Sequence, residues 1–142
     1  MMSGIKTVQL TMLALCIATS SSLVNASQKN RTELSQVPTF SLGMNGFAGE
    51  ISPGERIYTE ILRGPQAAAD FKSILESADA TPEAKLYALC GLKSQNIASD
   101  YLRKFMENAA DAAVLTGDVL RRMPFRELAE HIIDDADKCG KQ

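Results

Sequence analysis

His131 is the one histidine of the chain, with Glu127 four residues before it and Asp135 four residues after. On a helix this spacing sets carboxylate, imidazole and carboxylate along one stripe. Such a stripe could hold a divalent cation, or serve a small hydrolase or metal-dependent enzyme as an acid–base pair. A single imidazole with no second histidine or cysteine beside it makes a poor zinc site. The residues fit a solvated helical face with two weak ion pairs better. Cys90 could act as a nucleophile, but it would need a base and surroundings that lower its pKa. It lies in the most apolar segment of the chain, so a disulfide or core packing is the favoured reading. Gly117-Asp118 followed by Arg121-Arg122 is the remaining constellation. A bend there would carry Asp118 toward two arginines and form a small polar surface site; the competing reading is a turn whose aspartate caps a backbone amide. No Gly-x-Ser-x-Gly elbow and no phosphate-cradling glycine loop occurs. We expect no catalytic residue, no metal and no cofactor.

The elements that would position these residues read as helices. Thr81-Pro82-Glu83 opens one of them, with Thr81 as N-cap, Pro82 in the first turn and Glu83 near the positive end of the dipole. Leu86, Tyr87, Ala88, Leu89, Cys90 and Leu92 then cover almost the whole wheel, which predicts a central helix ending near Lys93. Ser52-Pro53-Gly54-Glu55 starts an earlier helix that Gly64-Pro65 closes. The spacing of Phe71, Ile74 and Leu75 predicts a second helix from Pro65 to near Asp79, paired with the central one. Tyr101, Leu102 and Phe105 predict a fourth from about Ile97 to Ala110, and Leu128, Ile132 and Ile133 a fifth from about Pro124. The run 113–120 reads as extended or irregular, because a short apolar run broken by Gly117-Asp118 has no clear period. The expected fold is all-α: a compact bundle of about five short helices in antiparallel pairs, helical-repeat-like, with an irregular N-terminal arm. Leu86, Leu89, Phe71, Leu75, Leu102, Phe105, Leu128 and Ile132 are the expected core. Acids at Asp134, Asp135 and Asp137 oppose the dipole at the end of the last helix, which calls for fraying or an electropositive neighbour.

With 142 residues the chain has room for one domain. A net charge of −2 argues against a general nucleic-acid binder, which would carry a basic stripe. Residues 1–26 read as a signal peptide. Lys6 supplies the positive end, and the apolar stretch Val8 to Ala18 is too short to span a bilayer. Val24-Asn25-Ala26 fits the small-residue rule, so cleavage is expected before Ser27. Lipidation at Cys16 would need a small residue where Leu15 stands. Residues 27–50 would be a flexible or extended arm, mobile as far as Val37, and residues 51–142 the helical domain. Removal of Cys16 leaves Cys90 and Cys139, an even number in an oxidising compartment, and we expect them to form one disulfide.

The stretch Lys85-Leu86-Tyr87-Ala88-Leu89-Cys90-Gly91-Leu92-Lys93, with Thr116-Gly117-Asp118-Val119-Leu120-Arg121, resembles a family of small exported proteins of Gram-negative bacteria. Some of these are known only through microcin-production gene clusters. The resemblance runs from roughly Gly54 to Ile133. It implies bacterial export and no particular activity, and it would leave the sequon Asn30-Arg31-Thr32 without meaning. The function expected is that of a periplasmic or secreted non-enzymatic interaction factor, associated with toxin or microcin systems. Its partner would be another protein, with no nucleic acid and no membrane once the signal is removed.

Overall fold

The computed structural model describes residues 25–46, 48–107, 110–135 and 139. The signal-peptide reading of residues 1–26 falls outside these, save for its last two residues. Helix α1 occupies 25–35. It is followed by α2 (Pro53–Arg63), α3 (Ala67–Glu76), α4 (Pro82–Ser94), α5 (Ser99–Arg103), strands β1 (Asp111–Thr116) and β2 (Val119–Pro124), and α6 (Phe125–Asp134).

Helix α4 lies where the sequence reading puts it. The Thr81 side chain accepts from the Ala84 N–H at 3.1 Å, capping the first turn. Leu86, Tyr87, Ala88, Leu89, Cys90 and Leu92 are all fully buried. The helix touches α2, α3, α6 and β1, so it has cover on every side. Gly91 is what lets α3 come close. A Cβ built there would stand 2.3 Å from two ring carbons of the buried Phe71. Six of the eight expected core residues are buried, and Phe105 and Leu128 pack against that core while partly exposed.

The fold is not all-α. Residues 111–124 form an antiparallel hairpin in which Asp111 faces Pro124 and Thr116 faces Val119. Gly117-Asp118 is its two-residue turn, and Gly117 stands first with φ of 60°, a conformation that costs glycine nothing. The fourth predicted helix correspondingly stops early, at Arg103, because the chain must turn into β1. The element expected to begin at Pro124 begins at Phe125, since Pro124 closes β2.

The N-terminal arm also differs from expectation: 25–35 is helical rather than extended. Its anchors are distant in sequence. Leu34 is fully buried, Ser27 Oγ donates to Asp70 at 2.5 Å, and Arg31 approaches the other oxygen of Asp70 at 3.6 Å. Thr81 ties the next residues down, donating its hydroxyl to the Val37 carbonyl and its N–H to the Ser35 carbonyl. At the other end, Cys90 and Cys139 form the expected disulfide, with Cα atoms 5.4 Å apart. The acidic end of α6 meets an electropositive neighbour: Lys93 Nζ donates to the Ile133 carbonyl at 2.6 Å, and Arg103 pairs with Asp134.

Candidate interaction surface

The hairpin is attached to the helical body along one edge only. The N–H and C=O of Phe40 bond to the Ala113 carbonyl (2.8 Å) and the Leu115 N–H (2.9 Å), a single parallel bridge centred on Val114. The Ala113 N–H donates to Glu83 Oε1 at 2.6 Å. Glu83 is buried, and it sits in the first turn of α4, where the helix dipole favours a carboxylate. Sequence reading assigned Glu83 to the dipole alone. Its second role, finishing the edge of a strand 30 residues away, leaves no local signal.

Beside this junction lies a buried polar knot. Tyr87 Oη donates to the Ser41 carbonyl (2.7 Å), accepts from the Ser41 N–H (3.0 Å) and lies 3.3 Å from Ser52 Oγ. Burial pushes the Tyr87 phenol above its ordinary pKa, and burial likewise pushes its neighbour Tyr58 up to about 12. Both therefore stay neutral hydrogen-bonding groups across the physiological range. The Glu55 side chain, also buried, accepts from the Gly43 N–H at 2.9 Å. These bonds fix loop 41–52, which doubles back on itself through the paired residues Asn45 and Glu50.

Loop and hairpin tip meet where the Gly46 N–H donates to the Gly117 carbonyl at 3.4 Å. Between them is an open cleft of about 450 Å³, with Asn45, Glu50, Ile51, Arg56, Leu115 and Asp118 in its lining. The large apolar side chains left most exposed gather at this end of the molecule: Met44 at 79%, Leu120 at 61%, Val119 at 50% and Ile51 at 39%. Leu120 stands opposite Leu115 in the hairpin register, so it extends the apolar wall of the cleft outward.

The residues singled out from sequence are distributed differently. Asp118 is a residue of the hairpin turn and lines the cleft. Arg121 and Arg122 are neighbours on β2, and the pleat sends them to opposite faces. Arg121 shares a shallow depression with Val114, Thr116, Val119 and Met123, while Arg122 lies opposite Ala113. Among the described residues no ion pair joins Asp118 to either arginine. His131, Glu127 and Asp135 are exposed on or beside α6, and no group of three metal-binding side chains occurs among the described residues. Cys90 is oxidised to the disulfide and is not a thiol.

What sequence reading missed is the surface itself. Val119 and Leu120 were visible as apolar residues, but nothing local told that they would remain in water. No helix among the described residues is long and apolar enough to cross a membrane. Comparison with family models, with curated proteins and with solved structures finds no match to this chain.

Proposed function

We propose that this protein is an exported, non-enzymatic interaction factor, which binds another protein through its hairpin end. The observation that carries the reading is the exposure of four apolar side chains at the hairpin end: Met44 and Ile51 on the loop, with Ile51 in the cleft lining, and Val119 and Leu120 on opposite faces of β2. Exposed apolar residues scattered singly need no account, whereas a group rimmed by polar residues marks a contact surface. Loop 41–52 behind this surface is held by the Tyr87 and Glu55 bonds, so the surface is pre-shaped, which lowers the ordering cost of binding.

Export rests on three supports. A disulfide persists in oxidising compartments. The first side-chain hydrogen bond that α1 makes to the rest of the molecule, among the described residues, is that of Ser27, so cleavage before Ser27 would sacrifice no such anchor. The resemblance to small exported Gram-negative proteins points the same way, and on it the partner would be a component of a toxin or microcin system.

Site-specific photocrosslinking in the producing cell tests the reading. A crosslinker at Leu120 is expected to trap a discrete protein partner, and one at the exposed position His131 is not. Equal yields at both positions, or none at Leu120, would overturn it. Intact mass of the exported protein, beginning at Ser27, checks the export half.

A further inference from the structure

We infer that the free edge of β2 is a docking site for an extended, acidic segment of a protein partner, which adds to the hairpin as a third strand beyond β2. The inference rests on the interaction reading above and names the way the partner is held.

The backbone pattern shows which groups are open. On β1, the backbone groups of Ala113 and Leu115 point away from β2, toward Phe40 and Glu83. In an antiparallel pair the residues opposite them must likewise point away. Those residues are Arg122 and Leu120. Their N–H and C=O groups therefore face outward on the far edge of β2, and no described residue bonds to them. Among the described residues the sheet has two strands, and none of them pairs with β2 on its far side. Proteins commonly blunt such an edge with a covering loop, a bulge, a proline or charged side chains. Here Phe40 and Glu83 cover β1, whereas β2 carries, among the described residues, Pro124 at its very end and the exposed charges of Arg121 and Arg122, which repel a like-charged strand and admit an acidic one. An unpaired edge of this kind is a template for strand addition, with backbone bonds supplying affinity and alternate side chains supplying choice.

Charge identifies the occupant. Arg121 and Arg122 put a guanidinium on each face of the edge, and both are exposed. A strand laid alongside meets a positive charge whichever face its side chains take. Two consecutive carboxylates in the added strand would answer both, flanked by apolar residues against Val119 and Leu120. A second copy of this chain is disfavoured by the same charges. Antiparallel self-pairing with the greatest overlap sets Arg121 directly opposite its own copy, and like charges opposite each other destabilise a sheet.

The test uses the oxidised protein and a capped hexapeptide, TVEEVT, followed by backbone-amide NMR. Shifts and slowed hydrogen exchange are expected at the Leu120 and Arg122 amides at about millimolar peptide, since six residues bind weakly. Arg121→Glu with Arg122→Glu should weaken TVEEVT about tenfold or more, as two exposed ion pairs become two repulsions. The same double variant should gain affinity for TVKKVT. Leu120→Pro removes an N–H that the hairpin does not use, so the fold is kept and binding is lost. Three results would overturn the inference: TVKKVT matching TVEEVT on the natural protein; a TVEEVT analogue N-methylated at alternate residues binding undiminished; or concentration-dependent dimerisation through β2. A crosslink at Leu120 without peptide binding would overturn the strand-addition mode and leave the interaction reading standing.

Discussion

Leu89 and Leu120 are the same residue in two regions that treat it in opposite ways. In α4, Leu89 is fully buried; in β2, Leu120 is 61% exposed. The cause is how many sides of each element are covered. Helix α4 has α2, α3, α6 and β1 around it. Strand β2 is paired along β1 and otherwise meets little except α6, the helix that follows it. The apolar surface of α4 is removed from water by folding, at roughly 25 cal/mol per Å², and stabilises the protein accordingly. The apolar surface of β2 gains much less from folding, with Val119 and Leu120 still 50% and 61% exposed. On the reading proposed above, leucine and valine on this edge beside two arginines serve what the edge meets.

The largest expected effect lies at Leu89. Truncation to alanine leaves a void in a helix enclosed on all sides, and should cost about 2–5 kcal/mol in denaturant melts. A loss below about 0.5 kcal/mol would break the comparison, because it would mean that α4 relaxes as a surface helix does.

Reduction of Cys90–Cys139 comes next. The bridge spans 49 residues. Constraint of the unfolded chain over that length is worth about 4 kcal/mol in the loop-entropy model, and measured values typically fall between about 2 and 4. Melting with and without reductant measures it. Hydrogen exchange sharpens the contrast: reduction should weaken protection along α4, while the outward amides of Leu120 and Arg122, bonded to no described residue, exchange fast in either state.

The helical half was largely legible, and for local reasons. Ser52-Pro53 and Thr81-Pro82 announce helix starts within a few residues, and both serine and threonine cap as expected. Apolar periodicity then identifies Phe71, Leu75, Leu86 and Leu89 as core. Cysteine counting after the expected cleavage identifies the disulfide pair. The hairpin was not legible as a strand pair, although 113–120 reads as extended or irregular. Its strands are six residues each, and their partners are remote: Phe40 and Glu83 complete β1 from 74 and 30 residues away. Helix α1 escaped for the same reason. Its sequence is polar apart from a few positions, and it is held by Asp70 and by backbone bonds from Thr81. Arg121 and Arg122 lie on opposite faces of β2 because a period of two separates adjacent residues, which no count of charges along the chain reveals.

The smallest expected effect on stability is at Leu120, and it decides most about the surface. Leu120→Ala removes a side chain that is mostly in water and has Leu115 as its cross-strand neighbour. Such a pair contributes about 0.2–1 kcal/mol, so the variant should melt within about 1 kcal/mol of the natural protein. Its backbone donor and acceptor remain, so strand addition survives while the apolar contact is lost. The partner trapped by crosslinking should therefore bind more weakly, with the core undisturbed, and a crosslinker moved to Val119 would report it. If Leu120→Ala instead cost several kcal/mol, Leu120 would belong to the core like Leu89, and its exposure would need no partner to explain it. If stability and partner binding were both unchanged, the edge would be held by backbone and arginine alone, and selectivity would rest with Arg121 and Arg122.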